Sequence, residues 1–502
     1  MAYPRRVQVD SFEQDASEVL SLARSIKNSF APINRIHPEV LSLIPDYHRE
    51  DEAGQDVITL THVCRRWRDT FTSRPSLWAQ LDFKNVDKTR TYIQRSKSSP
   101  LKFCLGPGKV TNDAFALAIP HAHRLKSLTV SEANALRVVL KRFRCHAPSL
   151  DKLDIGISSK KEPTLDGALF NGDLSFLREL RLSGVITTLP WKNLVNLRVV
   201  DLNCHYRGCG VTRLLDFFES APLLHTVTIE HSKMGSSDAP PGRMVHLRHL
   251  QLFCIINADI SHSILLHHLH IPIGTTLISS FTSDYDEFPP LDLDYLPERF
   301  PNLANLPHIT AINLDFGPGL KVQLSGPSGT LRVLVSCNPW YFPAPYDNVR
   351  QALRSFNRSM LSTIQRLVVS HYMYPSPARV EACPTFQTLS SMNNLRTLVL
   401  FDGDDLHFTL LLDPEQNSKN RVLCPDMEEL VVYIAIKGEF HVEELVRMAK
   451  NRASRGGKLS SIKIVYPGVL MRGEEVKKLR KHVMHAECLV DNRPHRWDSV
   501  DW

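Results

Sequence analysis

The segment FLRELRL, Phe176–Leu182, decides the fold. As a β-strand it alternates cleanly: Leu180 and Leu182 face one side with Leu177 at their foot, and Glu179, Arg181 and Ser183 face the other. The underlying spacing, apolar-x-x-apolar-x-apolar, recurs upstream as RLKSLTV from Arg124 and SLDKLDI from Ser149. Downstream it returns as NLRVVDL from Asn196, LLHTVTI from Leu223 and HLRHLQL from His246. After an irregular interval it resumes as HITAINL from His308, TLRVLVS from Thr330, TIQRLVV from Thr363, NLRTLVL from Asn394, DMEELVV from Asp426 and SSIKIVY from Ser460. The spacing runs roughly from 20 to 33 residues and settles near ~32 in the last four, within the period range of repeat proteins.

Between these strands lie amphipathic helical patterns: ALRVVLKRFRCHAPSL from Ala135, TRLLDFFESAPLL from Thr212, NVRQALRSFNRSML from Asn348 and HVEELVRMAKNRA from His441. Several end in Ala-Pro or Gly, the stop signals of a helix. The pattern resembles irregular leucine-rich repeats. That resemblance implies an α/β solenoid, a horseshoe of parallel strands and outer helices over one continuous leucine core. The Asn that typical repeats of this kind place after the strand is mostly missing, Asn203 being one of the few candidates. An ordinary doubly wound α/β domain also alternates strands and helices. It is disfavoured because no Gly-rich phosphate-binding turn follows any strand. A stretch near 274–305, containing SDYDEFPPLDLDYLPERFPN, breaks the rhythm and is expected to be a loop excursion. The segment GEEVKKLRKHVMHAECLVDN is expected to form a last helix and strand that cap the solenoid.

Composition suits a folded chain, with 43% hydrophobic and 23% charged residues. Sixty Lys and Arg are interspersed with 53 Asp and Glu, so the net charge of +7 leaves no nucleic-acid footprint. No apolar run reaches the ~18 residues of a membrane span, and MAYPRRVQVDSFEQD lacks an apolar signal region. Ten cysteines without C-x-x-C spacing point to reduced thiols in the cytoplasm or nucleus.

Towards the start, INRIHPEVLSLI and then DVITLTHVCRRWRDTFTSRPSLWAQLDF span Ile33 to Phe83. Pro38 suits the first turn of a helix, followed by Val40, Leu41, Leu43 and Ile44. His48–Gln55 reads as a charged loop, and Asp56 as the N-cap of one amphipathic helix whose stripe is Val57, Leu60, Val63, Cys64, Trp67 and Phe71. A module this small cannot bury all its apolar surface alone. Ile36, Pro38, Glu39 and Ile44, then Val63, Cys64 and Trp67, then Pro75, Leu77 and Trp78 together resemble an F-box. An F-box followed by leucine-rich-like repeats is a familiar architecture among fungal F-box proteins.

The resemblance implies three parts: an N-terminal extension at 1–32, a small all-α F-box at 33–83, and a repeat solenoid at 84–502. It implies that Ile36, Pro38, Glu39, Leu41, Ile44 and Val63 contact a Skp-family adaptor and through it a cullin. Cys64, Trp67, Leu77 and Trp78 would form the module's core. Before it, Phe12, Val19, Leu20, Leu22, Ala23 and Ile26 suggest one amphipathic helix, packed on the module or loosely attached.

Searching for chemistry returns no Walker loop, H-E-x-x-H, G-x-S-x-G or kinase signature. His121 and His123, and His267, His268 and His270, lack supporting metal ligands, so no metal and no cofactor is expected. The expectation is a non-catalytic substrate receptor of a cullin ubiquitin ligase, or alternatively a scaffold using the same modules outside a ligase. The target protein would meet strand-face residues such as Arg181, Asp201, Thr228, Glu230 and Gln251, and neither nucleic acid nor membrane is expected as a partner.

Overall fold

The computed structural model describes residues 3–44, 57–108, 110–158, 164–165, 169–172, 174–187, 194–203, 211–230, 242–258, 263–282, 309–315, 319–327, 329–336, 361–370, 389–401, 412–416, 421–433, 442–466 and 473–490. It divides into two compact units, Met1–Val185 and Ile186–Trp502.

The first unit opens with a long helix, Tyr3–Ser29, and a helical module. Its pieces are Pro38–Leu41, with Pro38 in the first turn as its missing N–H permits, then Val57–Thr61, Arg65–Thr72 and a 3₁₀ turn at Pro75–Trp78. One continuous second helix was expected, and the chain instead breaks at Cys64. That residue is extended (φ −160°, ψ 173°), so a new helix starts after it, with Arg68 N–H bonding Cys64 O at 3.0 Å. The break is stabilised because Arg68 Nε reaches back to Thr61 O at 3.1 Å, satisfying a carbonyl at the end of the preceding helix. The expected Asp56 cap and the loop His48–Gln55 lie outside the described residues.

A parallel ladder follows: Gln80–Leu81, Leu101–Leu105, Leu125–Val130, Lys152–Gly156 and Glu179–Ser183, each paired with the next. The alternation read from FLRELRL holds, with Leu177, Leu180 and Leu182 buried and Arg181 exposed. Behind the strands Phe83, Phe103, Phe115, Phe143 and Phe170 form a chain of edge-to-face contacts 4.9 to 5.9 Å apart, a geometry favoured by the ring quadrupole. Helices Val86–Ser96, Asn112–Ala118 and Ala133–Arg142 connect the strands. The first is capped by Asn85 Oδ1, which accepts from Lys88 N–H at 2.9 Å.

The second unit begins with the same construction: Val199–Asn203, Thr226–Glu230, Leu252–Ala258 and Thr276–Thr282 pair in parallel, in order. The excursion expected from about residue 274 therefore starts too early. Thr276–Thr282 is a strand of the ladder, and residues 283–305 lie outside the described set. Beyond it the order inverts. Thr276–Thr282 pairs not with the next strand but with Gly329–Ser336, which pairs antiparallel with Gly319–Gly326, itself antiparallel to Ala311–Asp315. Ala311–Asp315 then pairs in parallel with Arg366–Ser370, and the ladder resumes through Thr397–Phe401, Glu429–Tyr433, Ser461–Tyr466 and His485–Val490. HITAINL and TLRVLVS are thus not successive turns of a solenoid. They are the outer arms of a three-stranded meander, because the chain between them is spent on a strand of its own, Gly319–Gly326, that turns back against both.

Both units are α/β ladders of the leucine-rich-repeat kind, and one backbone device recurs in them. The carbonyl just before a strand accepts the N–H groups of two consecutive residues of the next repeat. Asp151 O takes Arg178 and Glu179, Arg198 O takes His225 and Thr226, Gln365 O takes Arg396 and Thr397, and Glu428 O takes Ser460 and Ser461, at 2.8 to 3.0 Å. This couples neighbouring turns through main chain, and side chains add to it where Asn394 Nδ2 donates to Ser362 O at 2.6 Å and Thr275 Oγ1 to Leu250 O at 2.8 Å. Helices Val211–Ser220, Val442–Ser454 and Gly473–Arg480 fall where the sequence places them, and the segment from Asn348 lies outside the described residues.

Candidate functional site

Two surfaces are candidates: the helical module and the strand faces away from the leucine core. In the module Trp67, Leu77 and Trp78 are buried, Trp78 completely, while Cys64 is half-buried at the helix break. Trp67 stacks edge-on to Phe71 at 5.5 Å, and its indole N–H donates to Asn34 Oδ1 at 3.0 Å. Asn34 in turn donates from Nδ2 to Asn28 O at 2.7 Å, so one buried amide ties the end of the long helix to the module's core. Trp78 donates to Phe71 O at 2.9 Å and carries the Arg95 guanidinium 4.3 Å above its ring. Arg74 donates to Ser42 O at 3.1 Å and Arg66 to Ile36 O, clamping the first short helix in place. Asn34, Arg66 and Arg74 were not expected from the sequence, since no local pattern marks a side chain whose partner lies about 30 residues away.

Of the residues marked for adaptor contact, Pro38 and Glu39 are exposed and Ile36 and Ile44 are half-buried. Leu41 corrects the expectation. It is fully buried, and so has no surface to offer a partner. A four-residue helix has only one inward position, and Leu41 takes it. The large apolar side chains left in water are Val40 at 53%, Leu43 at 46% and Val63 at 53%, with Ile33 at 43%. Val63, on the apolar stripe and also marked for adaptor contact, is turned out by the break at Cys64.

On the first unit's ladder the outward rows run Lys102, Ser127, Lys152, Glu179 and Cys104, Thr129, Asp154, Arg181. They are polar, with Lys152 Nζ 3.3 Å from Glu179 Oε2. Arg181, one of the residues marked for target contact, lies beside Asp154 in this surface. In the second unit Asp201 faces Thr228 directly across the ladder, and Glu230 lies two residues further along, opposite Asn203. Gln251 is exposed just before its strand, its N–H bonded to His225 O at 2.8 Å. The structure brings Asp201, Thr228 and Glu230 together on adjacent strands.

The later ladder is different. Val368, Val399 and Val431 stand in one outward row, with Val465 two residues on in the next strand, and each is 5% to 9% exposed with Tyr433 against them. The row is bounded by Glu429, whose Oε1 takes Lys463 Nζ at 2.8 Å and thereby holds the lysine above the usual range. Its signal was in the sequence: LVV, LVLF and LVVY are apolar runs rather than alternations, as in strands covered on both faces. At the foot of the same ladder a polar pocket of about 600 Å³ is lined by Gln365, Asn394, Arg396, Asp426, Glu428 and Lys458 among others.

For metal chemistry, His121 and His123 have ring centroids 6.4 Å apart, and burial, then Arg124 and His123, keep His121 below the usual histidine range. His268 Nδ1 meets Arg243 O at 2.9 Å, and His270 lies 4.8 Å from His246, centroid to centroid. Among the described residues no three His, Cys, Asp or Glu side chains converge as metal ligands. Also among them, no helix is long and apolar enough to cross a membrane.

No protein-family model matches the chain, and no curated protein does. Among solved structures, the TLR13–ssRNA13 complex is similar at 14% identity and a TM-score of 0.32. The match covers 74% of this chain and 46% of that one, so the chain spans about half of that protein's length.

Proposed function

We propose that this chain is a non-catalytic substrate receptor of a cullin ubiquitin ligase, working in the cytoplasm or nucleus. The helical module would bind a Skp-family adaptor and the repeat ladders a target protein, so that ubiquitin transfer is accelerated by proximity. The observation that carries the reading is the pairing, within one small module, of a tryptophan core with exposed Val40, Leu43 and Val63. Apolar side chains left uncovered on so small a module favour a protein partner. Pro38 and Glu39 are exposed beside them and belong to the same contact. For the target, Asp201, Thr228 and Glu230 offer a polar surface across two adjacent strands.

The test is capture of a Skp-family adaptor by the full chain. Changing Val40 and Leu43 together to Asp puts charge into an interface that must be desolvated, so binding is expected to be lost while the repeats stay folded. Native affinity in that variant would remove the adaptor assignment. A chain that binds no adaptor but still captures a protein through its ladders would be a scaffold outside the ligase.

A further inference from the structure

The helix Tyr3–Ser29 is 27 residues long, and every described side chain from Val9 to Phe30 is exposed. Phe12 and Val19 keep 73% and 68% of their surface in water. A lone helix in water is marginal, and an apolar stripe left uncovered lacks the burial that normally stabilises one. The stripe is regular, with Leu20 and Leu22 widening it at its middle. Val9, Phe12, Ala16, Val19, Ala23 and Ile26 follow one another at alternating steps of three and four, and Phe30 continues the series. An alternation of three and four kept without a slip from Val9 to Phe30 is that of a helix wound against another helix.

We propose that this helix pairs antiparallel with the same helix of a second copy of the chain. The seam is self-complementary in that direction. Antiparallel pairing sets Ala16 against the partner's Ile26 and Ala23 against the partner's Val19, small against large, with Phe12 against the partner's Phe30. A parallel, in-register pair would stack Ala16 on Ala16 and Ala23 on Ala23, leaving two layers underfilled. Charge agrees with shape. Glu13 and Lys27 each lie one residue after a seam position on the same flank, so antiparallel chains place Glu13 beside the partner's Lys27, twice by symmetry. Leu20 lies midway between them on that flank, where the two copies meet at the twofold axis. The helix end is anchored to its own chain by the Asn34 to Asn28 bond, so pairing would join two whole molecules.

The experiment is sedimentation or light scattering of the full chain across a concentration series. A dimer is expected, and Val19→Asp should raise its dissociation constant by at least about tenfold while the thermal transition of the remainder is unchanged. Glu13→Lys should weaken it a few-fold, and Glu13→Lys with Lys27→Glu should restore it, which only the antiparallel arrangement explains. Oxidation of Leu20→Cys should give a covalent dimer above the level formed by the parent. A monomeric parent, or a dimer indifferent to Val19→Asp, would overturn the proposal. A dimer weakened by the single charge change and not restored by the double one would overturn the antiparallel pairing.

Discussion

The ladder of the first unit and the late ladder of the second share leucine spacing on the inner face and differ on the outer one. In Lys152–Gly156 and Glu179–Ser183 the outward positions are Lys, Asp, Glu and Arg, open to solvent and paired across strands. In Arg366–Ser370, Thr397–Phe401 and Glu429–Tyr433 the central outward position is a valine with at most 9% of its surface exposed, while the row at the strand starts, Arg366, Thr397 and Glu429, stays polar. The inner face fixes a solenoid turn, and the outer face is free to vary. Where it alternates with polar residues it is a wet surface able to meet a partner; where it is apolar it is packed and serves stability.

The largest expected effect breaks that comparison directly. Val399→Asp puts a carboxylate among Val368, Val431 and Val465, and should destabilise the second unit by at least about 4 kcal/mol. Ser127→Asp, at an outward position between Lys102 and Lys152, should change the first unit by no more than about 0.5 kcal/mol. Denaturant unfolding of both variants is the measurement. Equal costs would mean that the late ladder's outer face is as wet as the first's.

Next in size is the polar interior that the dry ladder needs. Arg452 is fully buried on the helix Val442–Ser454 and donates to Leu423 O at 2.7 Å and Cys424 O at 3.0 Å. Beside it Asp413, also buried, accepts from Asn451 at 3.0 Å and pairs with Arg447 at 3.3 Å. Arg452→Met leaves two buried carbonyls without donors but also removes a desolvated charge, so a net loss of about 2 to 3 kcal/mol is expected. An unchanged unfolding midpoint would show that the desolvation of the guanidinium had offset its hydrogen bonds.

A smaller effect distinguishes the turns. Gly184 of the first unit has φ +62°, and a Cβ there would lie 1.8 Å from Ile157 O, whereas Gly456 of the second has φ +85° and open space around it. Gly184→Ala combines backbone strain with a clash against main chain, and should cost about 2 kcal/mol or more. Gly456→Ala carries the strain alone, about 1 kcal/mol. Thermal unfolding that ranks them the other way would mean the Gly184 turn can shift.

Most of this was legible because leucine spacing is a local signal. Leu177, Leu180 and Leu182 announce their strand within seven residues, and the helices at Val211–Ser220 and Val442–Ser454 announce themselves by periodicity. The meander was misread because HITAINL and TLRVLVS each carry the repeat spacing while neither encodes its neighbour. The corrective signal was the pair of turns FGPG and GPSG flanking LKVQLS, too close together for any crossover and suited to hairpins. In the helical module the tryptophan core was legible from apolar type alone. The outward set was legible only in part: Pro38, Glu39 and Val63 were marked for contact and are exposed, whereas Leu41 was marked and is buried and Val40 and Leu43 stand out in its place, because a helix of four residues carries too little pattern to fix its facing. Asn34 escaped notice for the opposite reason: a buried amide is defined by its distant partner, Trp67, and by nothing in its own neighbourhood.

The finest probe of the contrast between wet and dry faces is a pair of thiols. Cys104 lies in the first unit's polar row and is half-buried, while Cys424 lies beneath the late ladder with its thiol donating to Leu389 O at 3.3 Å. Burial pushes the Cys424 thiol up from 9.0 to about 12, slightly opposed by Arg452, and burial brings Arg452 down from 12.5 to about 10. Above pH 9 the unfolded chain therefore releases the Cys424 proton that the folded chain keeps, and stability falls as pH rises towards 12. Arg452 acts in the opposite sense above pH 10, where the folded chain gives up a proton the unfolded chain retains. Between pH 9 and 10 the thiol acts with little offset, and stability should drop there by roughly 1 kcal/mol per pH unit, a slope that Cys424→Ala removes. In the native protein at pH 8 a thiol reagent should modify Cys104 and spare Cys424, with Cys424 reacting only at the rate of unfolding. Equal labelling of the two would mean that the late ladder opens to water as readily as the first.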